Sequence, residues 1–506
     1  MLTLKEELDI QDFYAVVFNK EQINVDEEVV KKVEESFKFL KEFSDDKVIY
    51  GVNTGFGPMA QYKIADKDRV QLQYNLIRSH ASGVGKAIEP LYVKAAILGR
   101  LNTLSLGYSG VHKSVVEVMT SLLNKNITPL IYEHGGVGAS GDLVQLAHLA
   151  LVLIGEGEVF YKGELKPTQE VFKIENITPI NVELREGLAL INGTSVMTGI
   201  GIVNTIYAKK AFNWMMKASC AINEIVKAYD DHLSLELNHA KKHSGQQEVA
   251  EEMRVLLVDS KLIRNREEHL YTSGNEEVVF KEKVQEYYSL RCVPQILGPV
   301  LDTVNGVEKV LINEVNSAND NPIIDTKSKN VYHGGNFHGD YVSLEMDKLK
   351  VVMTKMTMLA ERQLNYLLNP RLNDILPPFV NLAKLGLNFG MQGVQFTATS
   401  TTAENQMLSN PMYVHSIPNN NDNQDVVSMG TNAAIITKKV IENAFEVLSI
   451  ELMTIIQAIE YLEIQDEIST STKEVYKSLR KLMPVIKEDV AMYPYIKEVK
   501  NYLMNN

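Results

Sequence analysis

The sequence predicts a mainly α protein, in which a bundle of long helices follows a smaller, mixed N-terminal domain. Apolar residues recur at helical spacing over four segments longer than the ordinary globular helix, at roughly 203–230, 293–315, 340–369 and 425–463. The part before them alternates shorter helical patterns with strand-like runs and glycine-rich breaks. We therefore expect a domain over residues 1–200 and a long-helix domain over residues 201–506. Helices of this length also favour a bundle shared between subunits.

Smaller elements of the N-terminal part are predicted from their periodicity. Residues 26–43 read as an amphipathic helix, and residues 48–50 as a short strand that breaks into a Gly/Pro loop. Alternation over residues 156–165 predicts a hairpin with Lys162 and Gly163 at its turn. Further helices are expected at 72–79, 90–106, 112–124 and 196–229. In the last long helix, the residues predicted to face the bundle core are Val426, Met429, Ala433, Ile436, Val440, Ala444, Val447 and Ile450.

Composition argues against several classes of protein. The chain has 51 Lys and Arg against 64 Asp and Glu, a net charge of −13, which disfavours nucleic acid or an anionic membrane as a partner. No uncharged apolar run of about 18 residues appears, and the first residues do not resemble a signal peptide. Cys220 and Cys292 are too few for a disulfide framework. We expect two reduced thiols, a cytoplasmic location and a small-molecule partner.

The most unusual stretch runs from His134 to Asp142, His-Gly-Gly-Val-Gly-Ala-Ser-Gly-Asp. Four of the eight residues before Asp142 are glycine, in a chain with 30 glycines in 506 residues, so the backbone here needs turns or close approaches. The segment matches the dinucleotide fingerprint G-x-G-x-x-G, but the repeated strand-helix-strand units of that fold do not follow. It also fails the G-x-S-x-G nucleophile pattern. A glycine-rich helix start capped by Ser140 or Asp142 is a further interpretation.

Another interpretation follows from the chemistry of Ala139-Ser140-Gly141. A tight turn can press the Gly141 amide nitrogen onto the Ala139 carbonyl carbon, which only residues with small or no side chains permit. Ring closure and loss of water would leave a five-membered ring that carries the former Ser140 side chain as an exocyclic methylidene. That product is an electrophile, which no ordinary side chain supplies.

Other motifs stand in loops between the helices. The tyrosine loop is Tyr50-Gly-Val-Asn-Thr-Gly-Phe-Gly57, and the histidine segment is Ser79-His80 before a glycine-rich break. Arg291, three residues after Tyr288, presents a fork-shaped cation suited to a carboxylate. His333 and His338 do not have the spacing of a metal site, and no metal is expected. The remaining segments are Asn192-Gly-Thr194, Asn319-Asp-Asn-Pro322 and Asn423-Gln-Asp425.

This ordered set of motifs, from about Tyr50 to Met429, resembles the aromatic amino-acid ammonia-lyases. The resemblance implies a fumarase/aspartase-like helical core and a homotetramer whose active sites are shared between subunits. It also implies a 4-methylidene-imidazol-5-one (MIO) group formed autocatalytically from Ala139, Ser140 and Gly141. Tyr50 would be an acid/base group, with Asn192 and Tyr288 also catalytic. The substrate-binding residues that it implies are Ser79, His80, Gln285, Arg291, Phe337, Glu404, Asn420, Asn423 and Gln424.

The mechanism that the resemblance implies overcomes two chemical difficulties of removing ammonia from an amino acid. The β-hydrogen of an amino acid is too weakly acidic for a side-chain base, and its ammonium is a poor leaving group. Covalent capture of the amine by the methylidene makes nitrogen a better leaving group. Tyr50 would then remove the β-proton, and Arg291 would hold the carboxylate.

Substrate preference is predicted from two segments. Ser79-His80 resembles the pair found in histidine ammonia-lyases, in a group of bacterial tyrosine ammonia-lyases and in tyrosine aminomutases. A histidine can hydrogen-bond a phenol or an imidazole, so this pair alone does not distinguish tyrosine from histidine. Asn423-Gln424-Asp425 follows the tyrosine and phenylalanine branch, whereas Glu404 stands where histidine enzymes have an important Glu. We expect conversion of L-tyrosine to p-coumarate and ammonia. The alternatives are L-histidine to urocanate, a tyrosine 2,3-aminomutase, or a helical assembly protein without enzymatic activity.

Overall fold

The computed structural model describes residues 1–5, 7–45, 47–271, 278–280 and 283–506. It is mainly α, as predicted. Four long helices dominate the chain, at Ser195–Ile225, Val293–Val315, Asp340–Leu368 and Gly430–Leu462. The second and third agree with their predicted segments to within one residue. The first begins eight residues and ends five residues earlier than the predicted 203–230, and the last begins five residues later than expected. None of the helices in the described ranges is long and apolar enough to span a membrane.

The chain divides into two compact units. The first contains residues 1–206, 307–347 and 411–438, and the second contains residues 207–306, 348–410 and 439–506. Each long helix has residues in both units, so each unit is assembled from three separate chain segments. The expected domains, 1–200 and 201–506, remain a prediction.

The first unit contains the shorter N-terminal helices and all strands of the described chain. Its other helices are Ile10–Phe13, Glu27–Phe43, Arg69–His80, Pro90–Ser105, Lys113–Asn124, Val144–Leu153, Thr168–Glu175 and Glu186–Ile191. Its strand pairs are Leu2–Leu4 with Ile23–Val25 (parallel), Val84–Ala87 with Tyr132–His134, and Ile323–Asp325 with Asn330–Tyr332 (both antiparallel). A three-stranded antiparallel sheet joins Thr128–Pro129, Glu158–Tyr161 and Glu164–Pro167. The predicted hairpin is therefore confirmed.

Local chemistry explains where these helices begin. The carboxylate of Asp26 accepts the Glu28 amide at 2.9 Å, which satisfies one of the unpaired N–H groups at the start of Glu27–Phe43. The same helix buries Val29, Val33 and Leu40 on one face. Pro90 begins the helix Pro90–Ser105, at a first-turn position where a backbone N–H would have no partner within the helix, so its absence costs no hydrogen bond.

Buried polar side chains tie the long helices together within the first unit. Asn204 donates to the Ala434 carbonyl at 2.8 Å, and the Thr437 hydroxyl donates to the Met346 carbonyl at 2.8 Å. These bonds fix the register of three helices more specifically than apolar contacts can. The predicted core positions of the last helix are buried from Ala433 onward, with Ile436 partly buried, but Val426 is 59% exposed because the helix begins only at Gly430.

The described residues of the second unit form helices and loops, without a β-strand. Its shorter helices are Leu235–His239, Ser244–Leu256, Arg266–His269, Tyr288–Arg291, Pro370–Asn373, Gln392–Leu408, Thr470–Arg480 and Tyr493–Asn505. Asn405 joins three helices, since its amide donates to Thr357 Oγ1 at 3.2 Å and to the Val440 carbonyl at 3.0 Å. Cys220 is buried and Cys292 half-buried, and both are thiols.

One strand prediction is wrong. Residues 48–50 belong to a loop, and Val48 is 79% exposed. The side chain of Asn53 replaces strand pairing: its Oδ1 accepts the Ile49 amide at 2.9 Å, and its Nδ2 donates to the Lys47 carbonyl at 2.7 Å. Asparagine side chains commonly compete in this way with regular backbone pairing.

The buried ion pair between Arg185 and Asp320 predicts how the stability of the protein responds to a substitution in the first unit. Arg185 and Asp320 are 0% and 2% exposed and form two hydrogen bonds of 2.8 and 3.1 Å. Asp320→Ala would leave the guanidinium buried without its counter-charge, at a cost of about 3–5 kcal/mol. We expect a markedly lower thermal unfolding midpoint, measured by circular dichroism. Asp66→Ala is the control, because the Asp66 carboxylate is 87% exposed and its pair with Arg69 contributes about 0–1 kcal/mol. Equal midpoints for the two variants would contradict this account.

Candidate active site

The turn Ala139-Ser140-Gly141 is pressed against a second backbone segment. Gly141 has φ +70°, in the left-handed region, and a Cβ atom at this position would lie 1.9 Å from the Gly193 carbonyl oxygen. The Asp142 amide donates to that same oxygen at 2.7 Å. Only glycine fits at position 141, and the close approach holds the turn in a tight conformation.

Two side chains donate hydrogen bonds to Ser140. The Asn192 side-chain amide donates to the Ser140 carbonyl oxygen at 3.1 Å, and the Gln424 side-chain amide donates to the Ser140 hydroxyl at 2.9 Å. Asn192 Oδ1 is buried and has no hydrogen-bond partner among the residues that the structure describes. An unpaired buried oxygen is costly and marks a position where a ligand or a modified group can bind.

Asp142 anchors the turn to a distant helix. Its carboxylate accepts the Val196 amide at 2.6 Å, the Met197 amide at 3.2 Å and the Thr431 hydroxyl at 2.7 Å. Burial raises the pKa of Asp142 to about 7, although these bonds favour the charged form. Asp142 is therefore a helix cap, but of Ser195–Ile225, whereas the helix that directly follows the turn starts without a side-chain cap.

A buried arginine supports the segment that contacts the turn. Arg100, 1% exposed, donates to the Asn192 carbonyl at 2.8 Å, to Asn319 Oδ1 at 3.2 Å and to the Ala189 carbonyl. Burial lowers the pKa of Arg100 to about 10, so the guanidinium stays charged at neutral pH. Sequence reasoning missed Arg100, although one Arg inside the apolar helix Pro90–Ser105 is itself a signal of a buried cation.

Ser140 opens into a cavity of about 520 Å³ in the first unit. Eight of the predicted site residues line it: Tyr50, His80, Ser140, Asn192, Phe337, Asn420, Asn423 and Gln424. Ala139 and Gly141 flank Ser140 as buried residues. Ser79 instead turns its hydroxyl back to the Leu76 carbonyl at 3.2 Å. One cavity thus brings together residues that are separated by as many as 374 positions in the chain.

Tyr50 is held in the cavity wall by its own loop. The Gly57 amide donates to the Tyr50 hydroxyl oxygen at 3.0 Å, and the Phe56 ring meets the Tyr50 ring edge-on at 6.1 Å between centroids. Because the oxygen accepts this bond, the hydroxyl proton remains available to a ligand. Gln73 fixes the start of the loop by donating to the Gly51 carbonyl at 3.0 Å.

His80 presents one defined ring nitrogen to the cavity. Its Nδ1 lies 2.9 Å from the Leu76 carbonyl oxygen, and a carbonyl can only accept, so Nδ1 carries the proton in the neutral ring. Nε2 is then an acceptor, which suits a phenolic hydroxyl or an imidazole N–H.

Sequence reasoning missed the apolar wall and one polar edge of the cavity. The apolar residues are Phe56, Leu76, Leu188 and Ile191, and the polar edge contains Asn321, His333 and Gly334. Leu188 and Ile191 precede Asn192 by one helical turn or less, which is a signal that could have revealed them. The edge at Asn321 comes from a loop whose position no local pattern specifies.

Four predicted residues belong to the second unit. Gln285, Tyr288 and Arg291 line a cavity of about 670 Å³ there, with the Arg291 guanidinium 4.9 Å from the Tyr288 ring centroid. Arg291 also donates to the Gln285 side-chain oxygen. Glu404 accepts the Asn443 side-chain amide at 2.7 Å and lies 3.6 Å from Lys439. Within this chain, the residues that line the Ser140 cavity are all in the first unit.

Comparisons with known proteins agree with this geometry. The family model of aromatic amino acid lyases matches residues 8–481. Histidine ammonia-lyase of Bacillus subtilis (strain 168) is 40% identical over 97% of this chain and 94% of its own length. Tyrosine 2,3-aminomutase of Myxococcus sp. (strain Mx-B0) is 38% identical over 97% of this chain and 95% of its own length. The solved phenylalanine aminomutase of Pantoea agglomerans superposes with a TM-score of 0.96, at 32% identity, over 100% of this chain and 99% of that one. The chain belongs to the aromatic amino acid lyase family.

Proposed function

We propose that the protein is a tyrosine ammonia-lyase, which converts L-tyrosine to p-coumarate and ammonia. Its family contains histidine ammonia-lyases and tyrosine aminomutases, so the reaction class is carbon–nitrogen bond cleavage at an aromatic amino acid. The observation that carries the proposal is the tight Ala139-Ser140-Gly141 turn, which opens into a cavity lined by Tyr50 and His80.

The residues around the turn fit an MIO group. Gly141 has a left-handed backbone conformation and no room for a side chain against Gly193, which supports a tight turn at residues 139–141. The amide donors of Asn192 and Gln424 already point at Ser140, and the unpaired Asn192 Oδ1 remains for a further contact. The MIO group would supply an electrophilic carbon for the substrate amine, which makes nitrogen a better leaving group.

The chain's own residues would do the remaining work. Tyr50, with its oxygen accepting the Gly57 amide and its own proton already given up, would accept the proton that leaves the substrate β-carbon. Asn192 and Gln424 would hold Ser140 and its product in position. Arg291 would bind the carboxylate with its planar guanidinium.

The cavity favours a phenolic ring. Leu76, Leu188 and Ile191 give apolar contact to the ring, and His80 Nε2 is an acceptor for a phenolic hydroxyl. Histidine is the second candidate substrate, because a relative at 40% identity is a histidine ammonia-lyase and because Glu404 is present. Tyrosine 2,3-aminomutase activity is a third candidate, since relatives at 38% identity carry that name.

We further propose a homotetramer in which a second subunit completes each site. Gln285, Tyr288, Arg291 and Glu404 lie in the second unit, while the Ser140 cavity is lined by the first. The second unit also exposes large apolar side chains, including Leu387 (68%), Phe389 (63%) and Phe396 (67%). Such a surface is typical of an interface between subunits.

Substrate incubation tests the activity. The purified protein is given L-tyrosine, L-histidine or L-phenylalanine separately, and the conjugated acid is followed by its ultraviolet absorbance. We expect p-coumarate to form fastest, with chromatography showing little β-tyrosine. Faster urocanate formation would assign the protein to histidine, and predominant β-tyrosine would make it an aminomutase.

Gly141→Ala tests the turn. The added Cβ would meet the Gly193 carbonyl oxygen at 1.9 Å and would also disfavour the left-handed backbone, so the turn cannot close. We expect a folded protein that lacks the near-ultraviolet absorbance of the ring and has no lyase activity. Gly163→Ala is the matched control, since Gly163 has φ +84° but no atom within 4 Å of its added Cβ. Full absorbance in Gly141→Ala would refute the proposed cofactor.

Tyr50→Phe tests the proton transfer. The variant keeps the ring and its packing on Phe56 but removes the hydroxyl, and general acid–base groups contribute roughly 100- to 10,000-fold. We expect kcat to fall within that range while the ring absorbance is kept. Tyr493→Phe, at a tyrosine that is 77% exposed, should have unchanged kcat. Wild-type kcat in Tyr50→Phe would remove Tyr50 from the mechanism.

Mixed oligomers test the shared site. If each site takes Tyr50 from one subunit and Tyr288 from another, then co-expression of Tyr50→Phe and Tyr288→Phe chains restores about one quarter of the sites. Each variant alone should be nearly inactive. No recovery in verified mixed oligomers would place both tyrosines in the same chain and would overturn the shared site.

A further inference from the structure

His333 is a third titratable side chain in the Ser140 cavity, beside Tyr50 and His80. Neither the proposed proton transfer at the β-carbon nor the binding of the aromatic ring uses it. No Asp or Glu is among the described residues that line this cavity, so the candidate proton acceptors there are these three groups.

The backbone next to His333 is held by hydrogen bonds that lead to the buried ion pair of Arg185 and Asp320. His333 directly follows the strand Asn330–Tyr332 of the hairpin with Ile323–Asp325. The next amide, of Gly334, donates to Asn321 Oδ1 at 2.8 Å. The Asn321 carbonyl in turn accepts a bond of 2.8 Å from Arg185, which is held by Asp320. The imidazole is therefore presented from a fixed edge of the cavity.

The ring nitrogens of His333 are available, unlike those of nearby histidines. His80 uses Nδ1 to bond the Leu76 carbonyl, and His338 lies 3.1 Å through Nε2 from the Val426 carbonyl. For the His333 ring, the described residues offer no hydrogen-bond partner, and the side chain is exposed at the cavity surface.

The electrostatic surroundings favour the neutral imidazole. Partial loss of hydration against the cavity wall, followed by the positive charge of Arg185, lowers the pKa of His333 below its usual value, although part of the ring remains open to solvent. Asp320 is the carboxylate nearest to that arginine and is fully engaged with it. Tyr50 and His80 are the other titratable groups that line the cavity. The hairpin that precedes His333 carries Asp325, Lys327, Lys329 and Tyr332. At neutral pH His333 is thus ready to accept a proton.

The proposed reaction needs such an acceptor. An amino acid arrives as an ammonium, whose nitrogen has no lone pair and cannot attack an electrophile. Tyr50 is assigned to the β-carbon, and His80 to the aromatic ring. We propose that His333 is the general base that deprotonates the substrate ammonium and later returns the proton to the departing ammonia.

His333 gains one proton and gives it back within each catalytic cycle. The substrate –NH₃⁺ becomes –NH₂ while the imidazole becomes imidazolium, and the nitrogen lone pair is then available for covalent capture. After carbon–nitrogen cleavage, the nitrogen receives the β-proton back from Tyr50 and the first proton back from the imidazolium, so that ammonia leaves as NH₄⁺ and both residues return to their starting state. No oxidant, reductant or metal enters. The inference rests on the proposed function, and its rival base is Glu404 supplied by a second copy of the chain.

The experiment compares pH profiles of wild type, His333→Gln and His333→Asn. In wild type, kcat/KM should fall below a pH set by the lowered pKa of His333, because the imidazolium cannot accept a proton. Without the imidazole, only the small fraction of substrate that is already an amine can react. We expect kcat/KM at pH 7 to drop about 100-fold and to rise about tenfold per pH unit towards the wild-type value at high pH.

Two further measurements separate this role from a structural one. The inhibition constant of p-coumarate, which has no amine, should be unchanged in both variants, and the near-ultraviolet absorbance of the ring should be kept. His243→Gln is the control, at an exposed histidine in the second unit whose side chain makes no cap bond. Glu404→Gln should keep the acidic limb of the profile.

Each outcome decides the inference. Wild-type kcat/KM at pH 7 in both His333 variants would overturn it, as would a loss of equal size at every pH or weaker binding of p-coumarate by the same factor. Loss of the acidic limb in Glu404→Gln alone would assign the base to Glu404. If the wild type converts none of the three amino acids, the proposed function fails first, and that result is seen before any variant is compared.

Discussion

The site depends on one backbone contact, the approach of Gly141 to the Gly193 carbonyl. A Cβ atom at Gly141 has no room, and the neighbouring Asp142 amide is bonded to the same oxygen. The contact forces the Ala139-Ser140-Gly141 turn into the tight conformation that the proposed cyclisation requires. It also places Ser140 between the amide donors of Asn192 and Gln424, which belong to different chain segments of the first unit.

That contact is maintained by buried polar groups instead of by apolar packing alone. Arg100 donates a hydrogen bond to the Asn192 carbonyl. The Asp142 carboxylate accepts hydrogen bonds from the start of Ser195–Ile225 and from Thr431. Buried charges add little net stability, but removing one partner is expensive, so they discriminate strongly against other arrangements. We interpret this network as the structure that keeps the turn strained while the rest of the unit stays rigid.

Much of the fold and part of the site followed from local sequence patterns. The long helices were predictable because their apolar periodicity extends over many turns, and Tyr50, His80 and Ser140 stood in distinctive motifs. The strand expected at residues 48–50 does not form, because the Asn53 side chain takes the hydrogen bonds of the Ile49 amide and the Lys47 carbonyl. The prediction that Val426 faces the core was wrong because the apolar periodicity starts before the helix does, at Gly430. Arg100 and Leu188 had local signals, a cation in an apolar helix and a position just before Asn192, whereas His333 reaches the site only through long-range packing. The roles of Tyr288, Arg291 and Glu404 remain predictions that depend on a second subunit.

The most direct test of the account is the intact mass of the purified, active protein. Conversion of Ala139-Ser140-Gly141 to the proposed ring removes two water molecules from each chain without any other reagent. We predict a mass lower than that of the 506-residue sequence by those two waters, with the loss located by peptide mapping to the segment that contains Ser140. A catalytically active chain with the full, unmodified mass would contradict the account.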